Sequence, residues 1–179
     1  TPKMHYTPSR ARFIVSSSKC STKPLSRIVS NMFKCFCKQI RSFHEKSKFY
    51  KNYNRFWVIN STKPFIDKLN VINTRRKAKE ISTFDFSTLY TKLPHGDLIR
   101  VLNSIIDFVF KGGTRNYLGF SEFSTFWSKK PSGKKYFTKS KLKALVKHLI
   151  TNTFFEVGNL LLRQSIGIPM GIDPAPFWA

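Results

Sequence analysis

Thr83-Phe84-Asp85-Phe86-Ser87-Thr88-Leu89-Tyr90-Thr91-Lys92-Leu93-Pro94 is the stretch on which the reading of this chain turns. From Ile81 to Phe86 the pattern predicts a strand, with Phe84 and Phe86 packing one face and Thr83, Asp85 and Ser87 on the other. A carboxylate inside an apolar strand is costly unless a cation or a donor compensates it. Asp85 is therefore the most informative of the nine acids, and a Mg²⁺ site is one resolution. The plainer resolution is an Asp at a strand end that bonds the following turn.

Outward from this stretch, helices and turns alternate. Downstream, Leu98, Val101, Leu102, Ile105, Ile106 and Val109 form an apolar face, which predicts a helix from Asp97 to Lys111 stopped by Gly112-Gly113. Residues 112–140 are rich in Gly, Ser and Lys and read as a loop. Ser140 then caps a helix carrying Leu142, Leu145, Val146, Leu149 and Ile150, and Gly158-Asn159 turns a hairpin between Phe154–Val157 and Leu160–Gln164. The block from Gly167 to Pro176 is a Gly and Pro turn leading into something helical. Upstream, Ala11 to Ser16 reads as a strand. Thr22 caps a helix with Leu25, Ile28, Val29, Met32, Phe33, Phe36 and Ile40 on one stripe. Residues 44–55 read as a basic loop, Phe56 to Asn60 as a strand, and Thr62 with Pro64 opens a short helix through Leu69.

Charge narrows the partner. The chain has 179 residues and carries 32 Lys and Arg against 9 Asp and Glu, a formal +23. Residues 1–79 hold 19 basic and 2 acidic side chains, net +17, and residues 80–179 hold 13 and 7, net +6. Such a surface attracts polyanions and releases their counterions, so nucleic acid is the first partner to consider. Phe43, Phe49, Tyr50, Tyr53, Phe56 and Trp57 lie among Lys46, Lys48, Lys51 and Arg55, where rings can stack bases beside phosphates. A hydrophobic share of 41% with 18 Phe is too rich for a disordered basic tail. No run of about 18 apolar residues and no signal peptide is visible, so the expectation is an intracellular chain, nuclear or cytoplasmic, with no membrane partner. Three cysteines, Cys20, Cys35 and Cys37, are an odd number and do not form a disulfide framework.

The stretch Thr83–Pro94 resembles the first catalytic motif of reverse transcriptases, in the form found in Penelope-like retroelements. Gln164-Ser165-Ile166-Gly167-Ile168-Pro169-Met170-Gly171-Ile172-Asp173-Pro174-Ala175-Pro176 resembles their second motif. Pro2-Lys3-Met4-His5 with Arg12-Phe13-Ile14-Val15-Ser16 is similar to the fingers segment, and Asn60 to Leu69 to the stretch before the first motif. The four blocks follow the family's order along nearly the whole chain.

The resemblance implies an α+β fold. Residues 1–78 would form a fingers lobe, 79–111 a palm part with the first motif, 112–163 a return to the fingers with an insertion and hairpin, and 164–179 a palm part with the second motif. It implies RNA-templated DNA synthesis from a DNA primer and dNTP with two Mg²⁺ ions. Asp85 matches the metal-holding aspartate, with the Phe86 carbonyl as a further ligand. Tyr90 matches the aromatic gate under the incoming sugar, and Arg12, with Lys3 as helper, the contact to the triphosphate. Gly171 and Pro176 match the turn that shapes the nucleotide pocket, and Met170 stands where many relatives have Gln. The family's third motif, two adjacent aspartates, does not occur in these 179 residues. The expectation is therefore a fragment that does not polymerise by itself; the rival reading is a non-catalytic RNA- or DNA-binding remnant of a retroelement.

Overall fold

A computed structural model describes residues 20–46, 59, 61–75, 80–84, 86, 89–111, 116–121, 124–131, 135–169 and 171–179, with the backbone of 2–3 and 10–11. The described chain mixes helix with antiparallel sheet. It divides into two compact units, one of residues 1–39 with 88–179 and one of residues 40–87.

The larger unit is built on three helices whose apolar stripes meet. Helix α1 (Lys23–Lys46) contributes Val29, Met32, Phe33 and Phe36 from its part in this unit. Two further helices supply the rest of the seam. Helix α4 (His95–Phe110) buries Leu98, Leu102, Ile106 and Val109, and α5 (Lys139–Thr151) buries Leu142, Val146, Leu149 and Ile150. Each such side chain is worth about 1.5–3 kcal/mol on burial. Packing and not helix propensity thus holds these elements. Polar contacts fix their alignment: Gln39 Nε2 donates to the Val109 carbonyl at 3.0 Å, and Asp107 on α4 accepts from Lys139 (3.2 Å) and Lys143 (2.6 Å) on α5. Those two lysines are one turn apart and share one carboxylate, whose pKa lies below the ordinary Asp value because Lys143 hydrogen-bonds it.

Between α4 and α5 the sequence reading expects a loop, and the structure corrects it. Strands β3 (Tyr117–Phe120), β4 (Thr125–Ser128) and β5 (Tyr136–Phe137) form an antiparallel sheet in the order β4-β3-β5. The Gly, Ser and Lys content that suggests a loop sits largely between these short aromatic segments. Leu118 is fully buried, and Trp127 stacks on Phe36 at 6.0 Å and meets Phe110 edge-on at 5.0 Å, so the strands exist because their inner face completes the helical core. The cap of α5 is also corrected. Thr138, extended at φ −84 and ψ 164, accepts from the Lys141 N–H, and Ser140 already lies inside the helix.

Other elements agree more closely with the sequence. Helix α1 starts directly after Thr22, though it runs on through Lys46, past the expected start of a loop at residue 44. The hairpin of β6 (Phe154–Val157) and β7 (Leu160–Arg163) pairs Val157 with Leu160 across a two-residue turn where Gly158 has φ +59. At the start of the chain, β1 (Pro2–Lys3) pairs with β2 (Arg10–Ala11). The rest of the strand expected over Ala11 to Ser16 lies outside the described residues.

The smaller unit contains residues 40–46 of α1 and helix α2 (Thr62–Arg75), which is longer than the expected short helix through Leu69. No residue of α2 is buried, and Phe65, Ile66, Val71 and Ile72 are all exposed. Among residues 80–84 and 86 no strand forms, against the expectation for Ile81 to Phe86, and Phe84 is 93% exposed. Alternation chooses faces, but a strand also needs a neighbour to take its backbone hydrogen bonds, and none of the described strands pairs with this segment. Of the strand expected from Phe56 to Asn60 only Ile59 is described, and it is exposed and not in a strand. Among the described residues, no helix is long and apolar enough to cross a membrane.

Candidate functional site

The second motif-like block is bound to the C-terminal part of the first. Helix α3 (Leu89–Lys92) and the residues up to His95 form a cradle for Gly167 and Ile168. The Gly167 N–H donates to the Leu93 carbonyl at 2.8 Å, and the Ile168 N–H to the Tyr90 carbonyl at 2.8 Å. His95 Nε2 closes the arrangement by donating to the Gly167 carbonyl at 2.8 Å. Gly167 has φ +88, and a Cβ there would stand 2.4 Å from the Tyr90 oxygen and 3.0 Å from the Thr91 Cα. Only glycine satisfies both the conformation and the approach.

Beyond the cradle the block turns back onto α1. Gly171 has φ +96 and leads to Asp173, which faces the first turn of α1. The Asp173 carboxylate accepts from Lys23 Nζ at 3.0 Å and from the Ser26 hydroxyl, and the Asp173 N–H donates to Ser26 Oγ at 3.0 Å. Burial pushes the Asp173 pKa up, but the Ser26 hydroxyl and the Lys23 ammonium outweigh it, so the group sits below the ordinary Asp value and is ionised at neutral pH. Ile168, Ile172, Ala175 and Trp178 are buried around this turn, and Trp178 meets Phe33 edge-on at 6.1 Å. Helix α6 (Ala175–Trp178) is the helical continuation that the sequence anticipates.

Several of the residues singled out in the sequence fall inside this arrangement. Tyr90 is half-buried in α3 with its carbonyl held by Ile168, Gly171 precedes Asp173 in the anchored turn, and Pro176 lies exposed in α6. Phe86 belongs to the smaller unit, is 78% exposed, and does not pack a sheet as expected. Asp85, Arg12 and Met170 lie outside the described residues, as does the side chain of Lys3, whose backbone pairs with Arg10. Of the basic aromatic stretch, Phe43 and Lys46 are described and exposed, and the other residues lie outside. Lys23, Ser26, His95, Gly167 and Asp173 are the residues that sequence reasoning does not single out. A glycine and an Asp-Pro pair within one quoted block are the only local signals; the partners on α1 are 147 and 150 residues away.

Among the described residues no three His, Cys, Asp or Glu side chains cluster as metal ligands. Asp97 is bridged to Arg100, Asp107 to Lys139 and Lys143, and Asp173 to Lys23. Comparison with protein-family models, with curated proteins and with solved structures returns no match for the chain.

Proposed function

We propose that the chain provides the fingers and part of the palm of a Penelope-like reverse transcriptase, which copies an RNA template into DNA. In that reaction the primer 3′-hydroxyl attacks the α-phosphorus of a dNTP; a P–O bond forms, the bond to pyrophosphate breaks, and the hydroxyl proton leaves to solvent or a base. Mg²⁺, held in part by Asp85 and the Phe86 carbonyl, would supply charge neutralisation for in-line transfer. Arg12 and Lys3 would attract the triphosphate, and Tyr90, Met170, Gly171 and Pro176 would shape the nucleotide's pocket.

One observation carries this reading. The residue five positions after Asp85 and the turn that resembles the second motif are tied together, through the Ile168 N–H on the Tyr90 carbonyl and the Gly167 contacts to Leu93 and His95. A nucleotide site assembled from these two blocks needs them adjacent. The charge of +23 supplies the complementary attraction for template and primer.

Sugar selection tests the reading. In the full-length protein Tyr90→Ala is expected to raise kcat/KM for rNTP relative to dNTP, because specificity is the ratio of those constants and the lost ring no longer excludes the 2′-hydroxyl. Tyr90→Phe should keep discrimination. Equal losses for both nucleotides would assign Tyr90 to the fold alone.

A further inference from the structure

The β4-β3-β5 sheet has two different faces. Its inner face carries Leu118, Trp127 and Phe137 and packs on the core. Cross-strand partners share a face, and Gly119 is paired with both Phe126 and Tyr136. The outer face therefore carries Tyr117, Phe126 and Tyr136. Tyr117 meets Tyr136 edge-on at 5.2 Å and 86°. Gly119 makes room for the Phe126 ring, which an added Cβ would approach to 2.5 Å. Phe126 and Tyr136 each remain 37% exposed. A sheet with one solvated face ordinarily alternates polar residues outward, so three rings there are the anomaly.

Charge selects what they face. Residues 116–137 hold four lysines against one acid, Glu122. Lys129 and Lys130 follow β4 directly, Lys135 immediately precedes β5, and all three are exposed. A second copy of a chain with formal charge +23 is repelled from such a rim. Rings bordered by lysines match unpaired bases linked by phosphates, since every base has a face that stacks on an aromatic ring.

We propose that the outer face of this sheet is a stacking platform for single-stranded nucleic acid, with Tyr117, Phe126 and Tyr136 taking bases and Lys129, Lys130 and Lys135 taking phosphates. It goes beyond the polymerase reading and needs neither Asp85 nor Tyr90, so either idea can fail without the other. The test is fluorescence anisotropy of the full chain with a labelled oligo-U or oligo-dT of about 20 nucleotides, a length chosen to exceed the roughly 4–16 nucleotides that one single-strand-binding OB-fold engages. Tyr136→Leu and Phe126→Leu keep apolar bulk and should each weaken binding about fivefold or more, for RNA and DNA alike, without changing the salt slope. Tyr136→Phe should bind like the parent, and blunt duplex affinity should be unchanged in all three. Replacing Lys129, Lys130 and Lys135 with Ala leaves the core intact and should reduce the log-log salt slope by about 2, at roughly 0.7 per phosphate contact on single strands. Leucine variants that fold and hold single strands as tightly as the parent would overturn the proposal, as would equal losses for duplex and single strand. An unchanged salt slope in the lysine variant would also overturn it, whether or not the leucine variants fold.

Discussion

Gly167→Ala should cost about 2–5 kcal/mol of stability, combining a positive-φ penalty with overpacking against backbone. The methyl group would stand 2.4 Å from the Tyr90 carbonyl oxygen, and a backbone atom cannot rotate away as a side chain does. To admit it, Gly167 and α3 must separate, which breaks the hydrogen bonds to Tyr90 and Leu93. Gly96→Ala is the matched control. It lies in the first turn of α4 with nothing within 4 Å of the new Cβ, so it should be neutral or gain a few tenths of a kcal/mol, up to about 1. Denaturant midpoints with unchanged slopes measure both. A Gly167→Ala protein as stable as its parent would mean that the two blocks are not bound in this way.

Asp173→Ala should cost about 1–3 kcal/mol, because it strips the charge partner from Lys23 and an acceptor from Ser26 at a part-buried junction. The side chains of Lys23 and Asp173 are 21% and 27% exposed, which places the expected loss above that of a surface pair. The folded-state pKa of Asp173 is depressed, so its stabilisation is fully present above the unfolded value of about 4 and is lost as pH falls through the folded value. Asp107 behaves in the same sense through Lys143 and Lys139. Stability measured between pH 6 and pH 2 should therefore decline toward acid in the parent, and less steeply in Asp173→Asn. An identical acid dependence in the two proteins would remove Asp173 from the account.

What the sequence discloses and what it hides follow from the range of the interactions. The stripes of α1, α4 and α5 repeat every three or four residues, so each helix announces most of its own buried face, although Val101 of the expected α4 stripe is 49% exposed and α1 also buries Ser26 and Ser30. Gly158-Asn159 likewise specifies the hairpin locally. Strands β3 to β5 have no such signal, since segments of two to four residues become strands only because Trp127 and Leu118 find Phe36 and the helical seam across the fold. The reverse error occurs from Ile81 to Phe86, where alternation is present but no described strand pairs with it. Tyr90 and Gly171 stand in the two blocks quoted from the sequence, and the structure places them in the cradle and in the turn that follows it. The Lys23, Ser26 and Asp173 cluster is not legible, because it joins residues about 150 apart, and nothing in either segment names the other.

Primer extension by the full-length protein, on an RNA template with a DNA primer, dNTP and Mg²⁺, tests the central claim most directly. The polymerase reading predicts template-dependent DNA product from the parent and loss of nearly all of it in Asp85→Ala, while RNA binding persists because it rests on the basic surface. Nucleic-acid binding with no extension by the parent, or extension that Asp85→Ala leaves intact, would contradict it.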